Sequence, residues 1–334
     1  MDLVQLWTIL VGVVVMLYVI LDGFGLGVGM LFPFAKDEEE RDTMMNSIAP
    51  IWDANQTWIV FGGGALFASF PRIYTVLFSA LYIPLLSFLF GLIFRGVAFE
   101  FRANAKTEAQ KRIWNRAFYL GSLVAVLGQG LTLGGYISGV TVENGAFAGG
   151  ALDWLNPFTL MVGLALVPGY MLLGATFLLM KSEGAVQERA FRQSLWLGLI
   201  LAGFMVLVSA WTPYHAPSLT ARWFTEPRIY FVWNFPLLGI IAFGGLMWGL
   251  KKRKERLPFF STVLLFLSAY LGLQSAIYPI AIPPDLTIYE AAAQKETLIF
   301  TLWGVAIVLP VVLAYTVYSY WVFRGKVADA EGYH

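Results

Sequence analysis

The chain has 334 residues, 58% of them hydrophobic and only 13% charged, with a mean hydropathy of +0.70. One water-soluble core cannot hide that much apolar surface, so the sequence is that of an integral membrane protein. A net charge of +1 leaves no electrostatic footprint for nucleic acid, and the absence of cysteine excludes disulfides, thiolate metal sites, iron–sulfur clusters and cysteine nucleophiles.

A bilayer core takes roughly 20 apolar residues per helix. The sequence offers nine such runs, at about 3 to 31, 51 to 70, 74 to 99, 115 to 140, 158 to 180, 194 to 214, 229 to 250, 258 to 282 and 298 to 322. No Lys or Arg precedes Lys36 and no small-residue cleavage site follows the first run, so that run reads as a spanning helix and not as a signal peptide. Its end, Gly23-Phe24-Gly25-Leu26-Gly27-Val28-Gly29, pairs glycines at i and i+4, a spacing for close helix contact that fits neither a dinucleotide fingerprint nor a phosphate loop. The acidic run from Lys36 to Asp42 reads as a solvated loop.

The second run opens on Trp52-Asp53-Ala54-Asn55-Gln56-Thr57-Trp58, a carboxylate, two amides and two indoles at the head of an apolar segment. Asp53, Gln56 and Thr57 are spaced i, i+3 and i+4 and share a face, and Trp52 and Trp58 either wall that site or anchor it at the headgroups. Gly62-Gly63-Gly64 and Gly128-Gln129-Gly130 read as packing glycines, with Gln129 and Gln274 as hydrogen-bonding glue between helices. His215, in Pro213-Tyr214-His215-Ala216-Pro217, reads as a solvated or capping imidazole in an outer turn, and the only other histidine is His334. Tyr315, Tyr318, Tyr320 and Trp321 ahead of Arg324 fit an aromatic belt with a cationic anchor.

Charge orients the runs. With the N-terminus outside, the inner segments collect Lys36, Arg41, Arg102, Lys106, Lys111, Arg112, Arg116, Lys181, Arg189, Arg192, the 251 to 256 cluster, Arg324 and Lys326, whereas the outer ones keep only Arg72, Arg222, Arg228 and Lys295. Pro71-Arg72-Ile73-Tyr74 and Pro227-Arg228-Ile229-Tyr230 each open a run from the outer side, which suggests two four-helix units in parallel repeat, 1–140 and 141–282, followed by a ninth helix and cytoplasmic tail at 283–334.

That orientation gathers Asp22, Asp53, Arg95 and Glu100 toward the inner surface, with Asn55 and Gln56 beside them. Acids at membrane depth cost about 2.5 to 3.5 kcal/mol on insertion scales and usually mark an ion or proton route. The leading expectation is a hydrated proton funnel from the cytoplasm; the alternative is a buried structural pair of Asp53 with Arg95, Glu100 being merely interfacial.

These blocks resemble subunit II of the cytochrome bd family of bacterial quinol oxidases. The resemblance rests on Leu21-Asp22-Gly23-Phe24, on the segment from Asn46-Ser47-Ile48-Ala49-Pro50 through Trp58, on Gly62-Gly63-Gly64-Ala65-Leu66-Phe67, on Phe94-Arg95-Gly96-Val97-Ala98-Phe99-Glu100-Phe101-Arg102, on Leu155-Asn156-Pro157-Phe158 and on Tyr320-Trp321-Val322-Phe323-Arg324-Gly325. The wording from Arg95 to Glu100 is similar to the cyanide-insensitive branch.

The resemblance implies an all-α fold of two four-helix bundles plus one peripheral helix in the bacterial inner membrane. It also implies a homologous subunit I that carries two haems b and haem d, oxidises quinol on the outer side and reduces O2 to water. This chain would bind no haem by its own ligands, and a small single-helix accessory subunit and a structural quinone or lipid are compatible with the family. The family's proton-entry acid maps to Asp53, and Trp52, Asn55, Gln56, Asp22, Arg95 and Glu100 complete the expected route. Two departures bear on it: Gly25 stands where relatives carry a second acid after Asp22, and Asn115 where some carry an acid at the start of the fourth run. A stand-alone proton-coupled transporter with a parallel repeat is the rival reading.

Overall fold

The computed structural model describes residues 2–216, 223–226 and 228–327; His334, Arg222 and the prolines at 217 and 227 lie outside them. Helix α1 (Leu3–Leu31) is started by a capping box in which Asp2 accepts from the Gln5 amide and Gln5 returns the bond. Helix α2 (Glu38–Ile48) follows, then α3 (Trp52–Ser69), α4 (Pro71–Ala80), α5 (Tyr82–Ala103), α6 (Glu108–Ser138), α7 (Pro157–Lys181) and α8 (Gly184–His215). A short α9 (Arg228–Val232) precedes α10 (Asn234–Lys251), α11 (Leu257–Ile277), α12 (Ile288–Ala291) and α13 (Lys295–Val322).

Two small hairpins are the only strands among the described residues. In the first, β1 (Val142–Glu143) and β2 (Ala146–Phe147) are joined by Asn144 and Gly145, both at positive φ, the conformation a tight two-residue hairpin demands. The second pairs β3 (Ile280–Ile282) with β4 (Leu286–Thr287).

Among the described residues eight helices are long and apolar enough to cross a bilayer, α9 and α10 counting together, and a ninth span results if α3 and α4 are one bent by 117°. That bend corrects the third run. The segment opened by Pro71 is not the start of a span but a separate ten-residue helix; Leu81 breaks it, and α5 begins only at Tyr82. The cause is local: Pro71 supplies no N–H and forces Phe70 out of helical geometry, where its φ is −133° and ψ 65°. The eighth run is also shorter than its apolar length, because α11 stops at Ile277 and residues 280 to 282 become strand β3.

Small residues set the packing. A Cβ on Gly27 would fall 1.8 Å from the Tyr170 carbonyl oxygen, and one on Gly174 would fall 2.4 Å from the Val28 amide, so α1 and α7 touch backbone to backbone. Gly91, Gly121 and Gly128 do the same for α5 against α6, and Gly130 meets Gly163 between α6 and α7. Gly63 and Gly64 have nothing within 4 Å and are not packing glycines within this chain, contrary to their reading from sequence. Helix α7 is the most enclosed span and α13, which rests mainly on α3, the least.

The end bearing most of the cations carries two further features. The acidic run is not a solvated loop: it forms the N-cap and first turns of α2, and Glu40 is buried. The end of α13 is tied back, Lys181 Nζ donating to the carbonyls of Phe323 (2.5 Å) and Gly325 (3.1 Å) while the Val327 amide bonds the Lys181 carbonyl at 2.8 Å. Lys326 adds ion pairs to Glu255 at 2.8 Å and Glu183 at 3.2 Å.

Candidate functional site

At the centre of the molecule Asp22 and Arg95 form an ion pair sealed from solvent, 0% and 1% exposed. One nitrogen makes both bonds: Arg95 Nη1 donates to Asp22 Oδ1 at 2.7 Å and to Oδ2 at 2.9 Å. The glycines explain how the pair is reached. Gly121 lets the backbone of α6 press against Arg95, a Cβ there coming within 2.7 Å of the Arg95 amide, and Gly25 leaves the space that Arg95 Nη2 fills, 2.8 Å from where its Cβ would be. The space beside Asp22 that any side chain at position 25 would need is therefore occupied by the guanidinium.

The partner of Arg95 is Asp22 and not Asp53, which corrects the alternative pairing drawn from sequence. Of the four ionisable residues expected at one mouth, the fold brings together Asp22 and Arg95 and leaves two outside. Asp53 is exposed on the outward face of α3, where only its carbonyl is engaged, by Thr57 Oγ1 at 3.2 Å. Glu100 is exposed near the end of α5, its carbonyl accepting from Asn104.

The residues around Asp53 divide by face. Asn55 points inward, 1% exposed, and is fully used: Nδ2 donates to the Leu21 carbonyl at 2.8 Å and Oδ1 accepts the Tyr320 hydroxyl at 2.9 Å. Tyr320 is thus an internal strut and not part of an aromatic belt, while Trp321 stays exposed with the Arg324 guanidinium 4.9 Å from its ring centroid. Trp58 is fully buried and donates to Thr316 Oγ1 at 3.2 Å, and Trp52 stacks on Phe99 with centroids 5.4 Å apart. Gln56 is half-buried, its Nε2 without a partner among the described residues.

Two tyrosines join the pair that sequence reading did not single out. Tyr18, one turn before Asp22 on the same face of α1, comes near that carboxylate, and Tyr170 from α7 lies near both Asp22 and Gln129. The i, i+4 spacing of Tyr18 and Asp22 was a usable signal; nothing in the sequence links Tyr170 to them. Gln129 reaches Tyr170 across the α6–α7 contact although its Oε1 is unpaired among the described residues, whereas Gln274 makes no side-chain bond among them and is not the inter-helix glue expected.

A second charged network covers the pair at the cation-rich end. Glu38 accepts from Arg41 at 2.6 Å, from Asn115 Nδ2 at 3.0 and 3.2 Å and from Arg102 at 3.1 Å, and Arg102 also donates to Asn115 Oδ1 at 2.6 Å and pairs with Asp42 at 2.7 Å. Burial pushes the Glu38 carboxyl up, but the Asn115 bond and the Arg41 and Arg102 charges outweigh it and hold it below its ordinary value. Glu40 is governed likewise: burial raises it, and Arg189 with the Lys36 amide brings it below its ordinary value.

His215 is half-buried and lies in a helix, not in a turn. It is the last residue of α8, stacks on Phe158 at 4.4 Å and 15°, and its Nε2 meets Ser138 Oγ at 2.8 Å, tying α6, α7 and α8 together at the opposite end. Among the described residues no group of three His, Asp or Glu side chains is placed to hold a metal ion.

Comparison with known proteins agrees with this architecture. Residues 3–323 match the family described as cytochrome bd terminal oxidase subunit II. The cytochrome bd-I ubiquinol oxidase subunit 2 of Escherichia coli K12 is 29% identical, over 98% of this chain and 95% of its own. The cytochrome bd ubiquinol oxidase subunit 2 of Bacillus subtilis is 28% identical over 98% and 97%. In fold, the chain is similar to one in the bd oxidase structure from Geobacillus thermodenitrificans, with a TM-score of 0.79, 18% identity and coverage of 97% of this chain and 99% of that one. A full-length family match across a multi-pass helical membrane protein favours an oxidase subunit over a stand-alone transporter: the chain belongs to the cytochrome bd terminal oxidase subunit II family.

Proposed function

We propose that this chain is the haem-free half of a cytochrome bd quinol oxidase, pairing with a haem-bearing subunit I and opening a proton route to it from the cytoplasm. The observation that carries the reading is Asp53. Its carboxylate stands on the outward face of a helix in an apolar bundle and has no side-chain partner among the described residues. Such a group does not face hydrocarbon; it faces a partner chain or the water held between the two. By the positive-inside rule the cation-rich end is cytoplasmic, the N-terminus lies outside, and Asp53, in the first turn of α3, sits at the inner mouth.

The division of labour is supported by the donor set: the one described histidine is already engaged, one face with Phe158 and Nε2 with Ser138, which favours placing the haems, quinol oxidation and O2 reduction in the partner. Within this chain Asp22 is neutralised by Arg95 and acts as a fixed charge that holds the polar interior together, Glu38 is kept ionised by Asn115, Arg41 and Arg102, and Asp53 takes and passes protons at the mouth. Glu38 supplies the carboxylate that Asn115 lacks.

The test is Asp53→Asn in the intact two-subunit oxidase. Quinol oxidase turnover should fall by the ~100-fold typical of losing a positioned proton-transfer group, with subunit I and its haem spectrum retained. Wild-type turnover with an unaltered pH profile would rule the route out.

A further inference from the structure

We propose that the cation-rich end of α8 and α10 holds an anionic phospholipid, its headgroup among Arg192, Lys251 and Lys254 and an acyl chain along the apolar furrow beneath them. The proposal does not depend on the proton route. An open cleft of about 530 Å³ lies between α8 and α10, with Arg192, Lys251 and Arg253 at its rim and Leu195, Met247 and Leu250 along its wall. A neighbouring cleft of about 590 Å³ shares Arg253 and adds Lys254 and Trp248.

The chemistry of the rim is decided by which charges are already paired. Glu188 is taken by Arg253, which binds it at 2.8 and 2.9 Å and lies 4.7 Å from the Phe191 ring. Glu255 is taken by Lys326 at 2.8 Å and by Gln187 at 3.0 Å. Both acids at the rim are therefore spent, while Arg192, Lys251 and Lys254, and Arg256 on the far side of the second cleft, are all exposed and have no ion pair among the described residues.

Depth is set by the aromatics. Trp196 and Trp248, 66% and 55% exposed, stand one turn toward the bilayer from Arg192 and Lys251, where indoles mark the interface. Free cations directly above the exposed Leu195 and the half-buried Met247 match a phosphate over an acyl chain, and each such cation strengthens attraction to an anionic headgroup. A free phosphate would use the rim and ignore the furrow; a zwitterionic lipid would use the furrow and gain little from the rim.

The complete oxidase, delipidated in detergent, would be titrated with dioleoyl-phosphatidylglycerol or dioleoyl-phosphatidylcholine and read by native mass spectrometry. The wild-type complex should retain a phosphatidylglycerol that phosphatidylcholine does not replace, and the triple variant Arg192→Gln, Lys251→Gln, Lys254→Gln should lose it with affinity lower by about tenfold or more. Equal retention by variant and wild type, equal retention of phosphatidylcholine, or displacement by inorganic phosphate would each overturn the proposal. Because a triple variant can fail to assemble, wild type would also be cross-linked with a photoactivatable phosphatidylglycerol. Adducts within residues 191–196 or 247–254 support the site, and adducts confined elsewhere refute it.

Discussion

At the scale of single residues, the Asp22–Arg95 pair is the costliest arrangement in the chain. Two charges fully removed from water repay their desolvation only through close geometry, and losing one partner leaves the other stranded at a typical cost of about 3 to 5 kcal/mol. Arg95→Leu should therefore abolish accumulation of folded subunit, and Asp22→Asn should lower the melting temperature of the solubilised complex sharply. The paired variant Asp22→Asn with Arg95→Gln should recover part of the loss. If the paired variant melts no higher than the worse single one, the energetic role assigned to the pair is wrong. Sequence showed which residues carry charge at this depth but not how they pair: the partner of Arg95 is chosen by Gly25 and Gly121, whose missing side chains admit the guanidinium between α1 and α6. Asp53 was legible as polar and not as outward-facing, because the hydrophobicity of the outward face of α3 is matched by that of its inner face and periodicity cannot tell lipid or partner from core.

At the scale of elements, the long apolar runs were readable because membrane helices must satisfy their backbone internally. The breaks were harder, since Leu81 interrupts an unbroken hydrophobic stretch and carries no polar or proline signal of its own. Helix α2 was missed because seven charged or polar residues look like a loop until Arg102 and Arg189 arrive from α5 and α8 to pair with them. Its docking is pH-dependent with a definite sign. Glu38 and Glu40 both titrate below their ordinary value of 4.5 in the folded chain, so their contribution is complete above that value and is lost as pH falls beneath it. Amide hydrogen exchange in residues 38 to 48 should accelerate, relative to the intrinsic rate, between neutral pH and pH below 4.5, and unchanged protection would contradict the assignment. Glycine contacts make the opposite kind of prediction. Gly27→Ala should force α1 from α7 and cost at least the ~1 to 3 kcal/mol of an overpacked core, seen as reduced yield of assembled oxidase. Gly63→Ala should leave the melting of the isolated subunit unchanged.

At the scale of the whole molecule, the chain is a bundle organised around α1 and α7, with the last span laid against the outside of α3. Composition sufficed for class and for the approximate number of spans, and local wording sufficed for the family. What neither carried is the set of contacts made between residues hundreds of positions apart, because such contacts leave no periodic trace in a single sequence. Four ties of α13 and the segment after it span 142 to 291 positions: Leu298 with Trp7, Thr316 with Trp58, Tyr320 with Asn55, and Phe323 and Gly325 with Lys181. Replacing Tyr320 with Phe would strand the buried Asn55 oxygen at a typical cost of about 1 to 3 kcal/mol; a melting curve of the complex identical to wild type would show that Asn55 is satisfied some other way.

The tie-back at Lys181 has a temporal meaning. Synthesis runs from the N-terminus, so α3 enters the membrane with the Asn55 amide half-satisfied, and α7 ends in a lysine whose acceptors, Phe323 and Gly325, are not yet made. Both defects are cured by the same final segment. Without the segment from 316 to 325 the buried Asn55 oxygen would lose its hydroxyl donor and Lys181 Nζ would lose its two carbonyl acceptors, so one stretch of chain satisfies polar groups at two separate places in the bundle.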